Sequence, residues 1–172
     1  MIQISIFHVV FYLICCSGRS ETSDTTKILG KLICAAAEQG GETGEKILES
    51  LSSVCNYKTF PFIDWHDDWV HRKYQSDVLL DLYSYVKNYE TQTGRSVLPA
   101  LQPVYQSAPT VWSIDLSERK VSLLLEVMKL QPEKKPVELR GWSDEESEAG
   151  IFLQCLPYIS HLRLILYHWI FV

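Results

Sequence analysis

Apolar residues along the chain follow two spacings, one helical and one extended. Leu79, Leu82, Tyr83 and Val86 stand at i, i+3, i+4 and i+7, the stripe of an amphipathic helix, with Ser76 just ahead as its N-cap. Val97, Leu101 and Val104 share a second helical face. Pro99 suits a first turn, but Pro103 lacks the N–H of a helix interior, so this helix is expected to be short or broken. TVWSIDL, at 110–116, then reads as a short strand. The same grammar occurs fifty residues earlier, as helices near 27–38 and 45–55 and a strand near 60–65. Leu29, Leu32, Thr43, Gly44, Leu48, Leu51 and Val54 recur as Leu79, Leu82, Thr93, Gly94, Leu98, Leu101 and Val104. Seven identities at one offset mark an internal repeat.

Beyond residue 116 the unit shortens. Residues 118–130 read as a helix and 137–140 as a strand. Ser143 and Glu146 form a capping box, and Ala149, Phe152, Leu153 and Leu156 share one face of the helix that follows. LPYISHLRL then leads into a last strand. The strand cores are Ile63-Asp64-Trp65, Ile114-Asp115-Leu116, Val137-Glu138-Leu139 and Leu162-Arg163-Leu164, and the last three are spaced 23 and 25 residues apart. A helix plus a short strand every roughly 20–29 residues is the leucine-rich-repeat period. One such unit cannot bury its apolar faces alone, so stacked copies share a core. The expected fold is therefore α/β: a helix-rich, leucine-rich-repeat-like solenoid of helices and short parallel strands. It would occupy residues 19–172, with units near 27–65, 77–116, 117–142 and 143–167. If the strands are too irregular to pair, the alternative is an all-α helical repeat serving as an adaptor or scaffold.

LPYISHLRL is similar to the L-x-x-I-x-x-L-x-L entry into a leucine-rich-repeat strand. VELRGWSDEESEAGIFLQCLPYISHLRL, with SVLPALQPVYQSAPTVWSIDLSERK before it, resembles the repeat regions of NACHT and leucine-rich-repeat (NOD-like) receptor-like proteins. The resemblance covers roughly residues 27–167. It implies a cytoplasmic, non-enzymatic protein-interaction module in innate-immune sensing or regulation. Two departures stand out. The position usually held by Asn or Cys carries Asp68, Arg119, Trp142 and Tyr167 here. The phosphate-cradling G-x-x-x-x-G-K-[ST] is also missing, so neither a nucleotide nor any other cofactor is expected.

Charge and composition narrow the partners. The formal net charge is −5 and no basic run exceeds two residues, which weighs against nucleic acid. Residues 1–18 form an apolar leader: twelve of the fifteen residues 2–16 are apolar, a length suited to a signal peptide and short for a membrane span. A secretory signal would make the chain secreted. A membrane anchor and a leader without a targeting role are the other readings. At the other end nine of residues 162–172 are apolar with no polar cap, which suggests a truncated array or self-association through that end.

Candidate chemistry is sparse. WHDDWVH places His66, Asp67, Asp68 and His71 together, and Asp67 with His71 could share a helical face toward a metal. A third ligand is missing, so a small metal-dependent hydrolase is the weaker reading and a solvated loop the stronger. No catalytic residue and no metal ligand is assigned. Cys34 and Cys55 fall on apolar stripes as small hydrophobes. The protein-binding candidates come from strand alternation: Asp64, Asp115, Glu138 and Arg163 would point away from the core in one column. A column acidic at one end suits a protein partner with a basic patch.

Overall fold

The stripe of Leu79, Leu82, Tyr83 and Val86 is buried along one long helix, α2 (Asp68–Thr93), which organises the rest of the chain. The computed structural model describes residues 22–42, 44–47, 68–107, 109–118, 120–141 and 146–165. Helix α1 (Thr22–Gln39) packs along α2, and residues 44–47 are also helical. Gly30 lets the two helices close up: a Cβ there would fall 2.4 Å from Cδ1 of Tyr85.

Ser76 is not an N-cap, because α2 begins eight residues earlier and Ser76 sits inside it. Its hydroxyl donates to the Arg72 carbonyl at 2.9 Å, the i−4 bond open to a serine within a helix. Gly94 ends α2 at φ 71°, and its N–H donates to the Glu90 carbonyl at 2.8 Å. The Glu90 carboxylate then accepts the N–H groups of Val97 and, at 2.7 Å, Leu98, satisfying donors at the start of α3 (Leu98–Ser107). Helix α3 runs through Pro103 unbroken. The bond this proline forgoes is the one to the Pro99 carbonyl in the first turn, and Val97, Leu101 and Val104 are all buried.

Strands β1 (Trp112–Asp115), β2 (Lys135–Arg140) and β3 (Ile159–Ile165) form one parallel sheet in the order β1-β2-β3. Helix α4 (Val121–Met128) connects the first two strands and α5 (Glu146–Cys155) the last two. Helix α2 packs on β1 and α4, and α4 packs on α5. The chain is thus α/β and helix-rich, and the sheet overturns the all-α alternative. Pro136 has no N–H to give the ladder, and the β2–β3 register shifts at that point, between Lys135 and Val137. Trp112, Ile114, Val137 and Leu139 turn into a core completed by Leu124, Met128, Phe152 and Ile159.

The register corrects two expectations. Trp112 pairs with Val137 and Val137 with Leu162, so both steps are 25 residues and the core of β1 lies two residues before Ile114-Asp115-Leu116. Leu116 leaves the sheet in a 3-10 turn, Leu116–Glu118. On α5 the buried residues are Glu148, Phe152 and Cys155, whereas Ala149 and Leu153 are exposed, as is Leu156 in the 3-10 turn that follows. The fifty-residue repeat persists in packing, since Leu29 and Leu79 are both buried, though Leu32 is only half-buried where Leu82 is fully so. It does not persist in the turn: Gly44 is helical and Gly94 left-handed. Leu51, the strand expected near 60–65 and the leader lie outside the described residues.

Candidate protein-binding surface

Of the four residues expected to form an outward column, the sheet brings two together. Glu138 and Arg163 are register partners, and the third member of their row is Ser113 rather than Asp115. Asp115 lies two residues along, opposite Arg140. Its Oδ1 accepts from Ser117 N at 3.0 Å and Ser117 Oγ at 2.6 Å, a local turn that ends β1. Gly141 turns beside it at φ 73°, where a Cβ would lie 2.1 Å from that same oxygen. Asp64 lies outside the described residues.

Glu138 is not presented to solvent, being 7% exposed. The carboxylate accepts from Arg72 through Nε at 2.9 Å and Nη2 at 3.2 Å, a two-pronged contact reaching from α2 across the sheet. Ser113 Oγ adds a third donor at 3.1 Å and Arg163 Nη1 a fourth at 3.4 Å. Glu138 is therefore neutralised from within, and the charge left outermost in its row is Arg163. Arg72 and Ser76 went unnoticed as part of this face. A signal was present, since 72, 76, 79, 83 and 86 continue one helical stripe, and an arginine on an apolar stripe needs a buried acid as partner.

One outward N–H of β1 is taken up by a helix: Ser113 N–H donates to Ser76 Oγ at 2.9 Å, where α2 packs on β1. Just beyond, Lys73 is buried and bridges Asp77 and Glu118, while Lys120 reaches Asp81 at 2.9 Å and Asp77 at 3.4 Å. Burial raises the Asp77 carboxyl above its ordinary range, against the pull of Lys73 and Lys120. Lys120 is held above its usual value: burial opposes its charge, but Asp77 and Asp81 outweigh that. These groups fasten α2 to the β1–α4 connection. Both partners of each pair are already engaged, which suits structure better than proton transfer.

Other candidates lead less far. A cavity of about 300 Å³ between α1 and α2 is lined by Thr26, Lys27, Asp81, Ser84, Tyr85 and Asn88. Cys34 and Cys155 are buried free thiols, both pushed up to about 11, chiefly by burial, so neither is a nucleophile near neutral pH. Among the described residues no three His, Cys, Asp or Glu side chains converge on a metal position. His66 and Asp67, and the side chains of Asp68 and His71, lie outside that set. No described helix is long and apolar enough to cross a membrane. No protein-family model matches the chain, and no curated protein or solved structure shows detectable similarity to it.

Proposed function

We propose that the chain is a non-enzymatic protein-interaction module built from leucine-rich-repeat-type units. The observation that carries this reading is the constant 25-residue step between Trp112, Val137 and Leu162 in a sheet whose sequential strands are parallel neighbours. That step lies within the period of roughly 20–29 residues of such repeats. Repeats of this type act by surface, and the charged groups here support that role. Glu138, Asp77 and Glu126 are all committed to internal pairs rather than aimed into a cleft. A role in innate-immune sensing or regulation follows only from the resemblance of the repeat segments. Partner chemistry is read here from Arg163, the most exposed charge of the described column, whereas a partner with a basic patch would face Asp64, outside the described residues, and Asp115.

The test is site-specific photo-crosslinking in the full chain at four exposed positions, Ser117, His161, Gln154 and Lys134 in turn, with Thr91 at the far end of α2 as reference. The module reading expects a saturable adduct with a discrete protein from some of these positions and not from Thr91. Adducts equally weak at all five would contradict it.

A further inference from the structure

Among the described residues the sheet ends at β3, and three positions there differ from their counterparts in the preceding unit. Met128, Val137 and Leu139 are 1%, 1% and 8% exposed, whereas their counterparts 25 residues on, Leu153, Leu162 and Leu164, are 63%, 41% and 58% exposed. Helix α5 and strand β3 cover the unit before them, and among the described residues no further unit covers α5 and β3. At the opposite end α2 packs on β1 and Ser76 occupies the Ser113 N–H, so among the described strands β3 has the more open edge.

Strand β2 shows what kind of strand fits beside β3. It sets Val137-Glu138-Leu139 against Leu162-Arg163-Leu164, apolar against apolar on one face and acid against arginine on the other. Arg163 gives Glu138 a single bond of 3.4 Å, its side chain is 73% exposed, and a guanidinium carries five donors. We propose that β3 is a strand-addition site for a partner protein. The partner supplies an extended segment alternating apolar, acidic and apolar residues. Its acid meets Arg163, its apolar residues cover Leu162, Leu164 and Leu153, and the open strand edge supplies main-chain hydrogen bonds. This rests on the protein-interaction reading and fixes the partner's charge as acidic. A second copy of this chain fits less well. Joined edge to edge through its own β3 it has no acid to set against Arg163, since Ile159–Ile165 contains none.

The probe is a blocked peptide with the β2 sequence, Lys-Pro-Val-Glu-Leu-Arg, and its counterpart with lysine in place of the glutamate. Each is titrated into the full chain while backbone amide resonances are followed. The expected result is saturable shifts centred on 159–165, with the lysine peptide about fivefold weaker, the upper range for an exposed ion pair. Arg163→Glu should reverse the preference. Arg163→Gln, which spares Glu138 an acidic neighbour, should abolish it with the fold unchanged. No shift on β3 up to millimolar peptide, or binding indifferent to charge at 163, overturns the proposal. So does concentration-dependent self-association that Leu164→Asp removes, which would give the edge to a second copy. Failure here with discrete crosslinked partners elsewhere on the surface would leave the module reading intact.

Discussion

Removing the Arg72 guanidinium should be costly, because it takes two of four donors from a carboxylate that lies almost wholly out of water. The side chains are 22% exposed for Arg72 and 9% for Glu138. Breaking a fully buried ion pair costs about 3–5 kcal/mol, and a fully exposed one about 0.2–1 kcal/mol. This pair lies between the limits and nearer the buried one. Ser113 and Arg163 would still donate to Glu138, which lowers the cost of Arg72→Ala to about 2 kcal/mol. At roughly 2–4 °C per kcal/mol for a chain of this size, the melting temperature should fall by about 4–8 °C. The assay is urea and thermal unfolding of Arg72→Ala, Glu138→Ala and the double variant, which isolates the pairwise coupling. Lys87–Glu126 is the reference, with exposures of 45% and 36% and an expected coupling below about 1 kcal/mol. If the Arg72–Glu138 coupling is no larger than the Lys87–Glu126 coupling, the sheet face is not sealed by this pair.

Leu82, wholly buried, should lose about 2–5 kcal/mol of stability on Leu82→Ala, while Gln92→Ala at the exposed end of α2 should stay within about 0.5 kcal/mol by chemical denaturation. Gly94 and Gly141 are both left-handed, so alanine should cost about 1 kcal/mol at Gly94 and about twice that at Gly141, where the new Cβ meets Asp115; equal losses would remove the steric reasoning. Cys34 and Cys155, buried and with thiols pushed up to about 11, should resist alkylation at pH 8 in the native state and both react at pH 8 in denaturant, as peptide mapping by mass would show.

Most of the element order was legible because the chain uses clean periodicities. The i, i+3, i+4, i+7 stripe of α2 points to a helix, and the L-x-x-I-x-x-L-x-L spacing of LPYISHLRL leads into β3. What was misplaced depended on long-range contacts. Ser76 reads as a cap by residue type, yet it serves Ser113 from inside a helix. The β1 core was read two residues late because Leu116 continues the alternation, and only pairing with β2 shows that the strand stops at Asp115. Leu153 on α5 and Leu156 just beyond it were expected to lie inward, but the buried stripe is the adjacent one of Glu148, Phe152 and Cys155, which shares only Phe152 with the expected face. The outward column was half legible. Glu138 and Arg163 were found by alternation, but the neutralising partner, Arg72, lies 66 residues from Glu138 and no local pattern links them.

Central to the account is a sheet whose β1 lends its Ser113 N–H to α2 and whose β3 carries no further strand among the described residues. Native-state amide exchange tests this most directly, read at Ser113 and along Ile159–Ile165. The account predicts slow exchange at Ser113 that becomes fast in Ser76→Ala. It also predicts that alternate β3 amides, those turned away from β2, exchange fast while their neighbours are protected. Uniform protection along β3, or a Ser113 amide as fast as the outer β3 amides in the unmodified chain, would contradict it.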